Sequence, residues 1–352
     1  MSSRSTLGAG GAGLRFAVVG PSSLKGKELT EVLPESPLAA AEVRLLDSED
    51  ALGQLEAVGE EMTFVQSVAV DNFEGADVVF FASDPKFTKQ TFPLTVRAGS
   101  AVVDLSYGLE DDPSASIRAP WLDRELAESV PMDLQPGPVV VAHPAAIILG
   151  LLMLRIQKAA KPRSVIATVF EPASERGRKG LDELHQQTVN LLSFQSLPKD
   201  IYDAQIAFNV LQRLGAAAFE PLQNTERRIV DHFRKTVREH AAVPSLVLLQ
   251  ASVFHGYAFS LYIDFGKAVS AGDLAQALTG EHVEVVRNAE DEPPSTVSAA
   301  GQEAVMVSLR PDAQHETGIW LWAAADNLRV TALNAIGCAE QLVASRPRGQ
   351  VQ

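Results

Sequence analysis

The sequence predicts an α/β protein, with a doubly wound parallel sheet first and then an α+β domain whose sheet is mixed or largely antiparallel. Short, continuously apolar runs alternate with helix-capable segments through residues 15–143, as strands do when crossover helices bury both faces of a sheet. Later runs instead alternate polar and apolar residues, with Tyr257, Phe259, Leu261 and Ile263 sharing a face. A chain of 352 residues also exceeds the size at which one hydrophobic core usually keeps growing, so two domains are expected.

Residues 1–14, rich in glycine and serine and lacking a signal-peptide apolar segment, are expected to be a flexible tail. FAVVG (16–20) is a strand ending at glycine, followed by a helix through Lys25, Lys27 and Leu29. AEVRLLD (41–47), ADVVFFAS (76–83), SAVVDLS (100–106) and GPVVVAH (137–143) supply further strands, with a helix over 86–98. The first domain, 15–143, ends before Pro144, because the residue preceding proline is biased away from helix.

The apolar run after Pro144 then opens a second domain over 144–325 as a helix. Its strands are SVIATVFEP, LVLLQASVFHG, YAFSLYIDFG, HVEVVRNA, EAVMVSLRP and TGIWLWAAA, covered by helices at 181–192, 225–237 and 271–278. DNLRVTALNAIGCAEQLVA begins a final helix, 326–345, with Asp326 as its cap and Leu328, Ala332, Ala335 and Ala339 along one face. Residues 346–352 form a second expected tail.

A net charge of −14 disfavours attraction to nucleic-acid phosphates or an anionic membrane, so neither is an expected partner. Arg155, Gln157 and Lys158 interrupt the longest apolar stretch before it reaches spanning length. The single cysteine, Cys338, excludes an internal disulfide, agrees with a reducing compartment and a cytoplasmic location, and lies on the last helix as a structural residue. Without H-E-x-x-H, a cysteine pair, a P-loop or a G-x-S-x-G elbow, no metal site is expected.

The first strand feeds VVGPSSLKGKEL, a G-x-x-G-x-x-G-like dinucleotide turn with Gly20 and Gly26 at the outer positions and Ser23 in the middle. Ser22, Ser23 and the helix N-terminus are candidates for holding an anion, with Lys25 adding charge. Asp47 is placed to accept from ribose hydroxyls, and Glu49 and Asp50 would repel a 2′-phosphate, so local charge favours NAD over NADP.

FEGADVVFFASD, AVVDLS, ERGRKGLDELHQQT, FHG followed by Tyr257, and above all DNLRVTALNA give the chain its resemblance to the aspartate-semialdehyde dehydrogenase family, particularly its divergent USG-1-like branch, over residues 15–344. The resemblance implies a Rossmann-like NAD(P)-binding domain and a dimerisation and substrate domain. It also implies that the last helix packs back on the first domain, that Asn327 contributes to a nicotinamide site, that NAD or NADP is the cofactor, and that the protein is a homodimer through the second sheet. The family's reaction passes through a thioester on an activated cysteine, with hydride leaving for NADP and phosphate attacking the acyl group.

The N-P-N-C-type corner that carries that cysteine lines up with His143, Pro144, Ala145 and Ala146, which puts a methyl group where the nucleophile belongs. Tyr257 stands at the catalytic histidine, with His255 two residues earlier and on the same face if both lie in a strand. Gln250 replaces the carboxylate-binding arginine, Glu110 the phosphate-binding arginine, Leu105 an asparagine and Glu171 a substrate-binding glutamine. The activating glutamate and its lysine fall near Thr225 and Arg228, with Glu226 the acidic match in a neighbouring register.

Alanine performs no covalent step, tyrosine is a poor base near neutrality, and Glu110 repels phosphate. The expected protein is therefore a homodimer lacking the family reaction, with a metabolite-binding, regulatory or structural role and an unidentified small-molecule or protein partner. The alternative is an NAD(P)-dependent oxidoreductase acting on an aldehyde or other small carbonyl without a thioester, using groups such as His143, Tyr257, Gln250 or Glu171. His143, Glu171, Glu175, Arg176, Arg178, Lys179 and His185 offer polar material there, and SERGRKG reads as a solvated loop opening the next helix, with Arg178 and Lys179 exposed.

Overall fold

The computed structural model describes residues 13–39, 42–127, 137–288 and 290–345, so most of both expected tails lies outside the described residues. The first half comprises β1 (Arg15–Val19), α1 (Leu24–Val32), β2 (Glu42–Asp47), β3 (Leu55–Val58), β4 (Glu61–Ser67), α2 (Val70–Phe73), β5 (Val78–Phe81), α3 (Pro85–Ala98), β6 (Ala101–Asp104), β7 (Ser116–Arg118), α4 (Pro120–Glu125) and β8 (Val139–Val141). Its sheet runs β3-β4-β2-β1-β5-β6-β8-β7 and is parallel except at the β3–β4 hairpin. Strands β1, β5 and β8 are buried along almost their whole length, as their continuous apolar runs require.

The second half comprises α5 (Pro144–Ala159), β9 (Ser164–Glu171), α6 (Gly177–Leu192), β10 (Val210–Leu211), α7 (Leu222–Val237), β11 (Ser245–Ala251), β12 (Tyr257–Asp264), α8 (Ala271–Leu278), β13 (Val283–Val285), β14 (Val305–Pro311), β15 (Gly318–Ala325) and α9 (Asn327–Ser345). Its sheet runs β10-β11-β9-β12-β15-β14-β13. The β9–β11 and β13–β14 pairs are parallel and the others antiparallel, which makes the sheet mixed. Both sheets agree with the predicted fold class.

Helix α5 is buried from Pro144 to Ile156 because it packs against α4, α7, α8 and α9 at once, and a helix apolar all round needs partners all round. Each fully buried leucine or isoleucine on it contributes about 1.5–3 kcal/mol. Gly150 allows the closest of these approaches, since a Cβ there would lie 2.7 Å from Leu122 and 3.0 Å from Val237. Helix α9 is capped by the Asp326 carboxylate, which accepts from the backbone N–H of Leu328 and Arg329, and it returns to pack on α1, β5, β6 and β8. Among the described residues no helix is long and apolar enough to cross a membrane.

Candidate functional site

The C-terminal ends of β1, β5, β6 and β8 face the second domain, which is where ligands bind in open α/β sheets. After β6 the chain turns tightly because Asp104, buried at the strand end, accepts from Ser106 N–H and Oγ and from Leu109 N–H at 2.6–2.8 Å. This turn holds Tyr107 at φ 63° and delivers Glu110 to α7. Burial raises the Asp104 carboxyl, with those hydrogen bonds opposing.

After β8, His143 caps α5, its Nδ1 accepting from Ala145 N–H at 3.3 Å, while its own N–H donates to Nδ1 of His232 at 2.9 Å. Both Nδ1 atoms therefore accept, which assigns the proton of each neutral ring to Nε2. His143 Nε2 meets Glu175 at 3.4 Å, and His232 Nε2 meets Glu110 at 3.5 Å. Ala145 and Ala146 follow, fully buried, so the corner presents methyl groups and no nucleophile.

Three ion-pair groups fill the space around this corner. Glu110 forms a two-point pair with Arg228 at 2.8 and 2.9 Å, and Glu220 takes a third guanidinium nitrogen at 3.2 Å. Burial would raise the Glu110 carboxyl, but His232 and Arg228 outweigh it and hold it at about 2. Lys25 donates to the Leu105 carbonyl at 2.9 Å, pairs with Glu175 at 4.0 Å and lies 4.1 Å over the Tyr107 ring. Burial opposes ionisation of Glu175 too, yet His143 and Lys25 bring it down to about 2.

In the third group Arg176 meets Glu171 at 3.0 Å, donates to Gln250 Oε1 at 3.3 Å and to the Glu220 carbonyl at 2.8 Å. Here burial wins and raises the Glu171 carboxyl to about 7, with Arg176 opposing. Outside Glu110 a cleft of about 320 Å³ remains, lined by Asp111, Asn224, Arg227, Asp231 and Lys235.

The structure brings together Ala146, Glu110, Glu171, Arg228, Gln250, His143 and Tyr257, whereas Gly20, Ser22, Ser23 and Gly26 lie separately, at the turn from β1 into α1, with Asp47 beside them at the end of β2. Gly20, at φ 80°, lies against Ser83, and a Cβ at Gly26 would strike the Gly20 carbonyl, so both glycines serve close packing. Ser23 caps α1, accepting from Gly26 N–H at 2.9 Å, and exposed Ser22 donates to Asp47 at 3.2 Å. Lys25 points away from this turn. Asn327 is committed as well, its Oδ1 accepting from Ser174 and Gly256 and its Nδ2 donating to Glu175 at 3.4 Å.

Several expectations need correction. His255 precedes β12 in a loop that turns at Gly256 with φ 82°, so it does not share a strand face with Tyr257. SERGRKG is solvated only in part: Arg178 and Lys179 are exposed, but the side chains of Glu175 and Arg176 are 6% and 5% exposed. His185 is exposed on α6, away from this network. Glu226 accepts from Leu248 N–H and ties α7 to β11, while Thr225 is buried. Sequence reasoning missed Tyr107, Glu220 and His232, whose local signals were an aromatic in a tight turn, an acidic residue just before α7 and a histidine at helical spacing from Arg228 on it.

The hydroxyls of Tyr107 and Tyr257 are buried without a hydrogen-bond partner among the described residues, and burial pushes both well above their ordinary range. Cys338 is buried on α9, its thiol raised by burial. Among the described residues no group of three or more histidines, cysteines or carboxylates is arranged to hold a metal.

A Rossmann-like domain joined to a mixed-sheet domain, with an α5 corner between them, defines a class of two-domain dehydrogenase folds. Residues 15–130 match "Semialdehyde dehydrogenase, NAD binding domain", and residues 153–330 match "Semialdehyde dehydrogenase, dimerisation domain". The chain belongs to the semialdehyde dehydrogenase family, among aspartate-semialdehyde dehydrogenase and USG-1-like proteins, and its one cysteine is not at the expected catalytic position.

It is 27% identical to the aspartate-semialdehyde dehydrogenase of Rickettsia bellii over 339 residues, 93% of this chain and 97% of that one. It is 29% identical to the USG-1 protein homolog of Azotobacter vinelandii over 332 residues, with 93% and 97% covered. The solved structure of a probable aspartate-semialdehyde dehydrogenase from Pseudomonas aeruginosa superposes with a TM-score of 0.80 at 27% identity, covering 94% of this chain and 98% of that one.

Proposed function

We propose that this chain is a noncatalytic, cytoplasmic member of its family: a homodimer that keeps the two-domain frame for a binding, regulatory or structural role and does not carry out thioester-dependent semialdehyde oxidation. The observation that carries this reading is fully buried Ala146 at the corner behind His143, whose Nδ1 accepts from Ala145 N–H and whose Nε2 faces Glu175 at 3.4 Å. No sulfur is available there. Glu110 stands where the family's phosphate-binding arginine would, and the nearby cation, Arg228, is taken by Glu110 and Glu220.

In this reading the first domain ends at 143, the second runs to 325, and 326–345 returns to the first. Asp47 with Glu49 and Asp50 at the adenosine side favours a ligand lacking a 2′-phosphate, so that any dinucleotide held there would be NAD in preference to NADP. Direct hydride transfer without a thioester finds little support, because Tyr257 is driven the wrong way and Glu171, though raised to about 7, is held against Arg176.

The test is a phosphate-dependent assay of the purified full chain with aspartate semialdehyde and either NADP or NAD, read by nicotinamide absorbance. The expected result is no turnover above a blank. Turnover that required phosphate and disappeared in Cys338→Ala would overturn the reading.

A further inference from the structure

The family's nicotinamide cofactor can be tested for fit against the residues present, and the two ends of the crevice give different answers. In a doubly wound sheet the pyrophosphate of a dinucleotide lies over the first strand-to-helix turn. The adenosine half extends toward the next strand on one side, here β2 with Asp47, and the nicotinamide half extends the other way, over the ends of β5, β6 and β8. On the adenosine side the Gly20 and Gly26 packing is intact, and Ser22 and Asp47 stand at the surface.

On the other side Lys25 leaves the first turn of α1 and crosses the sheet ends along the route the nicotinamide half would take. Its ammonium reaches the Leu105 carbonyl just beyond β6 at 2.9 Å and Glu175 at 4.0 Å, and Glu175 continues to His143 just beyond β8 at 3.4 Å. The bridge is enclosed, with the side chains of Lys25, Glu175 and His143 at 15%, 6% and 0% exposure. Tyr107 packs against it, 4.1 Å under the ammonium and stacked on His143 at 5.7 Å. Asn327, which the family resemblance assigns to this site, spends its amide on Ser174, Gly256 and Glu175.

We propose that the Lys25–Glu175–His143 bridge, with the Tyr107 ring packed against it, closes the nicotinamide end of the crevice, so that this chain holds no dinucleotide through its nicotinamide half. Seating the ring would require Lys25 to give up its carbonyl, carboxylate and aromatic partners together, leaving Glu175 with only His143 and the Asn327 amide. The closure does not depend on the lost thioester chemistry. A chain with or without Ala146 would be closed in the same way.

The test uses calorimetric titration of the full chain with NAD and ADP-ribose, and with NADP and 2′-phospho-ADP-ribose. The expected result is that each dinucleotide binds within about threefold of its nicotinamide-free counterpart, or that neither member of a pair binds. A dinucleotide binding about tenfold or more tightly than its counterpart would overturn the proposal.

Two variants assign the closure. Lys25→Ala clears the route and is expected to give NAD at least about a tenfold preference over ADP-ribose, whereas Lys25→Arg keeps a cation for the Leu105 carbonyl, Glu175 and the Tyr107 ring and should behave as wild type. Glu175 retains His143 in both, and circular dichroism melting checks that each is folded. A folded Lys25→Ala protein with no gained preference would refute the role given to Lys25. Turnover in the phosphate-dependent assay is a separate readout and bears on the proposed function alone.

Discussion

Glu110→Gln is the substitution that interrogates the site most directly, because it preserves shape while removing one charge from the Arg228 and His232 cluster. A carboxylate held at about 2 in place of its ordinary 4.5 favours the ionised form in the folded state by about 3 kcal/mol. The carboxylate is 22% exposed, so solvent screening reduces the usable part to about 2 kcal/mol. Glutamine keeps one acceptor for Arg228, and Glu220 still takes another of its nitrogens. The expected loss at pH 7 is therefore about 1.5–2.5 kcal/mol.

The sign fixes a pH window. Because the folded value lies below the ordinary one, the stabilisation is fully present above about pH 4.5 and is lost as the pH falls through 2. Glu175 titrates in the same window but is common to both proteins, so it cancels in the difference. Urea unfolding of wild type and variant, followed by circular dichroism at pH 7 and again near the acid limit of the folded protein, measures the effect. The gap should narrow in acid. A gap equal at both pH values, or below about 0.5 kcal/mol at pH 7, would show that Glu110 is not held by those cations.

Other perturbations test separate parts of the structure. Gly20→Ala places a Cβ 2.6–2.9 Å from Ser83 at a φ of 80° and should cost about 2–4 kcal/mol in urea unfolding; a loss under about 1 kcal/mol would show that the turn relaxes. Ala146→Cys restores a thiol but not its partners, so the phosphate-dependent assay should stay at background, and measurable turnover would place the defect at that position alone. Exposed Ile166 and Trp322 lie on the outer face of the second sheet, at 53% and 37% exposure, and the double variant Ile166→Asp, Trp322→Asp is expected to shift a homodimer to monomer in sedimentation velocity. An unchanged sedimentation coefficient would move the interface elsewhere.

The sheet-forming runs were legible because burial on both faces leaves an unmixed apolar signature, as in VVFF of β5. The α8 boundaries were legible too, since Ser270 is a side-chain cap before a short amphipathic segment. The β3–β4 hairpin was not: Leu55 and Phe64 pair across it yet are 50% and 63% exposed, so its pattern does not separate a core face from a solvent face. At the site, sequence reasoning identified Glu110 and Arg228 as departures from a family pattern but not as partners, because 118 residues separate them. Arg176 was misread for a related reason: a basic run gives no indication which of its members turns inward to meet Glu171.

Catalysis depends on donors and charges that remain unspent until the transition state forms. Here they are spent in advance. Arg228 is taken by Glu110 and Glu220, Arg176 by Glu171 and Gln250, His143 by Glu175 and Ala145, and Asn327 by Ser174 and Gly256. A site that had lost only its nucleophile would leave buried cations uncompensated, and an unpaired buried charge is strongly destabilising. The acidic residues at 110, 171, 175 and 220 supply the counter-charges that a transient substrate would otherwise bring. The proposed loss of the family reaction would accordingly be distributed through the network, and a sulfur restored at position 146 would face a site already occupied by its own side chains.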